Sequence, residues 1–134
     1  MIRQVSHTPI YVLDTDRALA FYTEKLGFEV RMDLSMDGFR WLTVGPKDQP
    51  TFQFLLTTPQ PPMFTEPDAE AVRQMVAKGA FSGGVLETDD CRGDFERLRA
   101  AGVTFLQEPS ERPYGIEAVL RDDSGNWFSL TQRR

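Results

Sequence analysis

Cysteine and histidine are almost missing from this 134-residue chain, with Cys91 and His7 the sole examples of each. One thiol rules out an internal disulfide and fits a reducing, cytoplasmic setting. Positive charge is also short. A net charge of −5 and a pI near 4.9 argue against a surface for nucleic acid or anionic membranes. No apolar run approaches the roughly 20 residues of a membrane helix. Arg3, His7, Asp14, Asp16 and Arg17 interrupt what would be the apolar core of a signal peptide, so no secretion signal is expected. There is no Gly-x-Ser-x-Gly elbow, Walker loop, dinucleotide fingerprint or CxxC zinc pattern, and Gly83-Gly84 alone does not suggest phosphate binding.

What is present is a unit that occurs twice. Ser6 to Leu13 is rich in β-branched and aromatic residues and reads as a strand. Asp14 is a natural helix N-cap, and Asp16 stands in the first turn, where the helix dipole favours negative charge. Ala18, Phe21, Tyr22 and Leu26 form one apolar stripe at helical spacing. Gly27 ends the helix, and Phe28 to Met32 resumes extended structure. Thr88 to Phe105 repeats this punctuation, Asp89 standing for Asp14 and Gly102 for Gly27, with 13 positions between cap and glycine in each copy. The copies lie 75 positions apart, more than half the chain.

Each copy continues into further strands. Phe39 to Val44 is bounded by Asp37-Gly38 and Gly45-Pro46, and Thr51 to Thr57 by Pro50 and Pro59. Behind the stiff Pro59–Pro62 segment, Thr65 to Gly79 reads as a helix capped by Thr65, an inter-module linker or, alternatively, a lid. The second copy starts at Ser82 to Glu87 and puts Cys91, Phe95 and Leu98 on one helix face. Strands follow at Val103 to Leu106, Ile116 to Leu120 and Trp127 to Thr131, the last two separated by the polar turn Arg121 to Asn126. The expected organisation is α+β in a single domain, 1–134: module one at 1–58, a linker helix at 59–80 and module two at 81–134, each module βαβββ.

Three motifs carry a family likeness: His7 with Asp14 and Phe21-Tyr22 ahead of Leu26-Gly27-Phe28, Thr88-Asp89-Asp90 before the second helix, and Asp122 to Asn126 before the last strand. With two βαβββ modules, the chain resembles the vicinal oxygen chelate superfamily of glyoxalases, bleomycin-resistance proteins and dioxygenases. The resemblance implies two modules forming a cupped mixed sheet with helices on its convex side. It also implies a divalent metal held by residues on the first and last strands of each module, because imidazoles and carboxylates on neighbouring strands can converge on one ion. Carried over by position, the metal candidates are His7 and Gln53. The second module offers Ser82 or Gly83 and then Ser129, none a good ligand, so no cofactor is expected, with a weakly bound Zn, Ni, Mn or Fe as the alternative.

Ligand-binding candidates are His7, Gln53, Trp41, Tyr114, Glu117, Trp127 and Ser129. A lone strand histidine is more often a hydrogen-bonded structural residue than a ligand, the motif position of His7 being what makes it a candidate, and strand aromatics are usually core. A buried Gln53 amide left unpaired would cost roughly 1–3 kcal/mol, so a partner or ligand should engage it. Glu117 facing inward would be a general base or a surviving carboxylate ligand, and facing outward a solvated surface group. Arg40 is a ligand anchor or, by default, a surface residue. Cys91 is expected to be a packed, inert thiol. The leading expectation is a cytoplasmic homodimer that binds a small aromatic compound or antibiotic at a degenerate metal site. The alternative is a lyase, isomerase or dioxygenase using His7 and Gln53 with a weakly bound metal.

Overall fold

The computed structural model describes all 134 residues, and the chain divides into two compact units, Met1–Gln74 and Met75–Arg134. Each is built around a four-stranded mixed sheet. In the first unit β1 (His7–Tyr11), β2 (Glu29–Met36), β3 (Phe39–Gly45) and β4 (Gln53–Thr57) lie in the order β1-β4-β3-β2. In the second, β5 (Ser82–Glu87), β6 (Phe105–Arg112), β7 (Gly115–Arg121) and β8 (Trp127–Arg133) repeat that order as β5-β8-β7-β6. The first strand of each sheet runs parallel to the last, and all other pairs are antiparallel. The duplicated βαβββ topology read from the sequence is the observed one.

One helix covers one face of each sheet. Asp14 caps α1 (Thr15–Ala20) by accepting the Arg17 amide at 3.0 Å. A π-helical turn over Phe21–Lys25 prolongs the helix, and buried Tyr22 packs its ring on Phe28. Ala18, Tyr22, Leu42, Val44 and Leu56 form the wholly buried centre of this unit. In the second unit α3 (Cys91–Ala100) buries Cys91, Phe95 and Leu98, with Leu120, Phe128 and Leu130 in the same core. Its cap is Asp90, which accepts the Gly93 amide at 2.9 Å, and not Asp89. The cap moved because the copies are not spaced evenly along the chain: matching backbone hydrogen bonds equate Ser6 with Phe81 but Val12 with Thr88.

Between the sheets in sequence stands α2 (Glu66–Ala77), with Thr65 accepting the Asp68 amide at 3.2 Å as a cap should. The Pro59–Pro62 segment belongs to the first unit: Pro59 is buried, and Phe64 sets its ring edge-on against Tyr11 at 5.3 Å. The division between units falls inside the helix. Two strands are longer than their sequence pattern suggests, β2 continuing to Met36 and β6 starting at Phe105 but reaching Arg112. No helix is long and apolar enough to cross a membrane.

Candidate functional site

Strand alternation gives each sheet a helix-covered face and an opposite face. In the first unit the opposite face carries His7, Gln53 and Trp41. His7 is the register partner of Gln53 across the parallel β1–β4 pair, and its ring lies 5.8 Å from the Trp41 ring, centroid to centroid. Ser6 Oγ holds His7 Nδ1 at 2.8 Å. Phe39 continues the aromatic surface, 6.4 Å from Trp41. Alongside, β2 pairs Met32 with Thr43, Leu34 with Trp41 and Met36 with Phe39. These three apolar side chains, on the edge strand of the sheet, are 50%, 49% and 57% exposed. The sequence reading missed them, yet the alternation of Met32, Leu34 and Met36 with Asp33 and Ser35 was a signal for a half-apolar strand.

The face of the second sheet opposite α3 holds a polar network. Glu117 on β7 accepts from Ser129 Oγ on β8 at 2.6 Å through Oε2, and from the Tyr114 hydroxyl at 2.8 Å through Oε1. Ser129 Oγ also lies 2.8 Å from Thr131 Oγ1. Arg112 Nε stands 3.8 Å from Glu117 Oε1, and Arg112 donates to Gln107, whose amide donates to the Glu117 carbonyl. The hydrogen bonds from Ser129 and then Tyr114 hold the Glu117 carboxyl below its ordinary value, outweighing the opposing effect of burial. Glu117 therefore faces this network and is an ionised acceptor at neutral pH. Trp127 shares the Ser129 side of β8 by alternation and is half-buried.

Thus the predicted residues form two groups, His7, Gln53 and Trp41 on one sheet and Tyr114, Glu117, Trp127 and Ser129 on the other. Arg40 has a different task. It donates twice to Asp33, at 2.9 and 2.8 Å, and to Asp16 and Thr15 of α1, which pins the helix start to β2 and β3. Cys91 is buried and its thiol donates to the Leu130 carbonyl at 3.4 Å, while burial pushes its pKa up.

A divalent metal does not fit the residues present. No group of three or more His, Cys, Asp or Glu side chains comes together in the chain. Of the two β5 positions offered for a first-strand ligand, Ser82 is the register partner of Trp127 as His7 is of Gln53 and brings only an exposed hydroxyl, and at Gly83 there is no room: a Cβ would sit 2.2 Å from Phe128 Cζ. Gly84 has φ +121°, a conformation that side-chain-bearing residues rarely adopt. Backbone bonds also show that Gln53 and Ser129 are not equivalent. Gln53 N donates to Ser6 O as Trp127 N does to Phe81 O, and Val12 N donates to Thr57 O as Thr88 N does to Thr131 O. Gln53 thus corresponds to Trp127, and Ser129 to Leu55. What the second sheet does have beside Ser129 is a carboxylate supplied by the neighbouring strand.

Comparison with known proteins agrees with this architecture. Residues 4–130 match the family described as Glyoxalase/Bleomycin resistance protein/Dioxygenase superfamily. The crystal structure of UcmS2 is similar over 98% of both chains, with 55% identity and a TM-score of 0.93. TnmS3, described as an antibiotic binding protein from Streptomyces sp. CB03234, is 30% identical over 99% of this chain and 98% of its own, with a TM-score of 0.79. The uncharacterized protein YurT of Bacillus subtilis (strain 168) is 37% identical, the match covering 94% of this chain and 96% of that protein.

Proposed function

The chain belongs to the glyoxalase/bleomycin resistance protein/dioxygenase superfamily, and from that membership we propose that it binds a small, partly aromatic organic molecule, of the antibiotic kind, without transforming it. The observation that carries this reading is the exposed apolar side of edge strand β2 on the first sheet. Met32, Leu34 and Met36 stand about half exposed beside Phe39 and Trp41. Contiguous exposed apolar surface of this kind marks a binding surface. Methionine is flexible and polarizable, so it can fit the outline of an aromatic ligand and contact its ring edges. TnmS3, described as antibiotic binding, supports the same reading at 30% identity over nearly the whole chain.

The homodimer implied by the family resemblance is part of the proposal, and light scattering on the eluting protein tests it, a monomer being the contrary result. Binding is tested by Trp41 fluorescence in a Trp127→Phe background, titrated with a panel of planar aromatic compounds. Quenching that survives dialysis against a chelator and is lost in Leu34→Asp is the expected result. Stoichiometric metal in the purified protein that disappears in His7→Ala would overturn it.

A further inference from the structure

The carboxylate on the second sheet is built in a way that packing alone does not require. Ser129 and Tyr114 approach it from different elements and donate to different oxygens, 2.6 Å to Oε2 and 2.8 Å to Oε1. A carboxylate offers about four lone-pair sites, so these two bonds leave acceptor capacity on both oxygens. Its nearest cation, the Arg112 Nε at 3.8 Å, is outside hydrogen-bond distance, and that side chain is 41% exposed. The Glu117 side chain keeps 19% of its surface open. It is an acceptor fixed in direction by two hydroxyls, so a donor that meets it does not have to order it first. Apolar surface lies on the same face: Val85, the register partner of Ser129, is 70% exposed, and Trp127 is half-buried two positions before Ser129.

We infer that Glu117 is the polar anchor of a ligand site on the second sheet, and that this site takes a planar aromatic molecule bearing a protonated N–H donor. The inference rests on the reading that the chain binds planar aromatic molecules, and it assigns to the second sheet a ligand of that class that also carries a donor. A cation suits the site because its acceptor is ionised and the whole chain carries a net charge of −5. The hydroxyls of Ser129 and Tyr114 spend their protons on Glu117, so neither is left to donate to an anionic ligand, and the carboxylate itself repels one.

Two fluorescent probes of similar outline separate the possibilities: 9-aminoacridine, cationic with N–H donors at neutral pH, and anthracene-9-carboxylate, anionic with no donor. The full-length protein is expected to bind the aminoacridine about tenfold or more tightly than the carboxylate, the size of effect expected from one charge-assisted hydrogen bond. Glu117→Gln is expected to reduce that preference to about threefold or less. Tyr114→Phe, which leaves the carboxylate but removes one orienting hydroxyl, is expected to lower it about threefold. It provides the reading if Glu117→Gln does not fold. Equal affinity for the two probes, or a preference unchanged in the variants, overturns the anchor while leaving aromatic binding intact. Binding of neither probe overturns the binding reading and the anchor with it.

Discussion

Replacing Gly83 by alanine tests whether the bulge in β5 has room for any side chain beside Phe128. An ideal Cβ at this position falls 2.2, 2.5 and 2.7 Å from Cζ, Cε1 and Cε2 of Phe128. Ordinary carbon contacts begin near about 3.5 Å, so the ring has to move by more than about 1 Å. Phe128 is wholly buried, paired with Leu120 across β7–β8, and has no solvent to move into. Overpacking of this kind costs about 1–3 kcal/mol. Gly83 has no left-handed backbone angle to protect, so without the ring the same substitution would stabilise the protein by about 0.4–1 kcal/mol. The two effects oppose each other and the clash wins, giving a net loss of about 1–2 kcal/mol. The assay is urea unfolding read by Trp127 fluorescence in a Trp41→Phe background, which isolates the second unit. Phe128→Leu alone should destabilise through the cavity it leaves. In combination with Gly83→Ala the losses should fall short of additivity by about 1 kcal/mol or more. A Gly83→Ala protein as stable as its parent would refute the steric reasoning.

Glu117→Gln should also change the pH dependence of stability. The folded carboxyl lies below its ordinary value near 4.5, so its contribution is fully present above that value and is lost as pH falls through the lower, folded one. The stability gap between parent and Glu117→Gln, measured by urea unfolding at a series of pH values, should hold steady down to about pH 5 and narrow below it; a gap that widens in acid would contradict the sign. Arg40→Ala should cost about 1 kcal/mol and less in high salt, because the Arg40 pairs are partly exposed. Arg40→Lys should recover only part of that loss, since lysine cannot form the two parallel bonds to Asp33. Cys91 should resist a thiol-reactive disulfide reagent in the native protein and react at the rate of unfolding; rapid labelling of the folded chain would show that the buried, raised-pKa thiol is accessible after all.

The parts of the fold legible in the sequence were those set by local bonds. Asp14 and Thr65 act through amides three residues on. Asp37 and Gly38, with φ of +49° and +79°, make the two-residue hairpin turn that an Asp-Gly pair predicts. Strand β6 was harder, because Pro109 looks like a strand breaker. It is tolerated since β6 is an edge strand, with a register shift between Gln107 and Ser110 that bracket the proline. Of the candidate site, alternation could place Glu117 and Ser129 on strands but could not say that they meet, because their contact depends on the β7–β8 register. Arg40 was ambiguous for a similar reason. Its partners Asp33 and Asp16 are brought to it by hairpin pairing and helix docking, and neither is visible from spacing alone.

The misplaced cap has the same kind of cause, and it shows what a repeat read at constant spacing leaves out. Matching backbone hydrogen bonds set Ser6 opposite Phe81, 75 positions on, but Val12 opposite Thr88, 76 positions on. The extra residue is taken up by the register shift between Ser82 and Gly84, where β5 bulges against β8. Asp14 then corresponds to Asp90 at the same longer offset, while Gly27 and Gly102 return to 75. The residue regained lies in the first helix, whose π-helical turn over Phe21–Lys25 fits one more residue than the regular α3. An insertion in one copy's strand and another in the other copy's helix cancel over the length of the repeat. A constant offset therefore looks right at both ends and is wrong in the middle. The bulge that shifts the frame is also what places Gly83 against the Phe128 ring, so the same local change displaced the cap and left a position where only glycine fits.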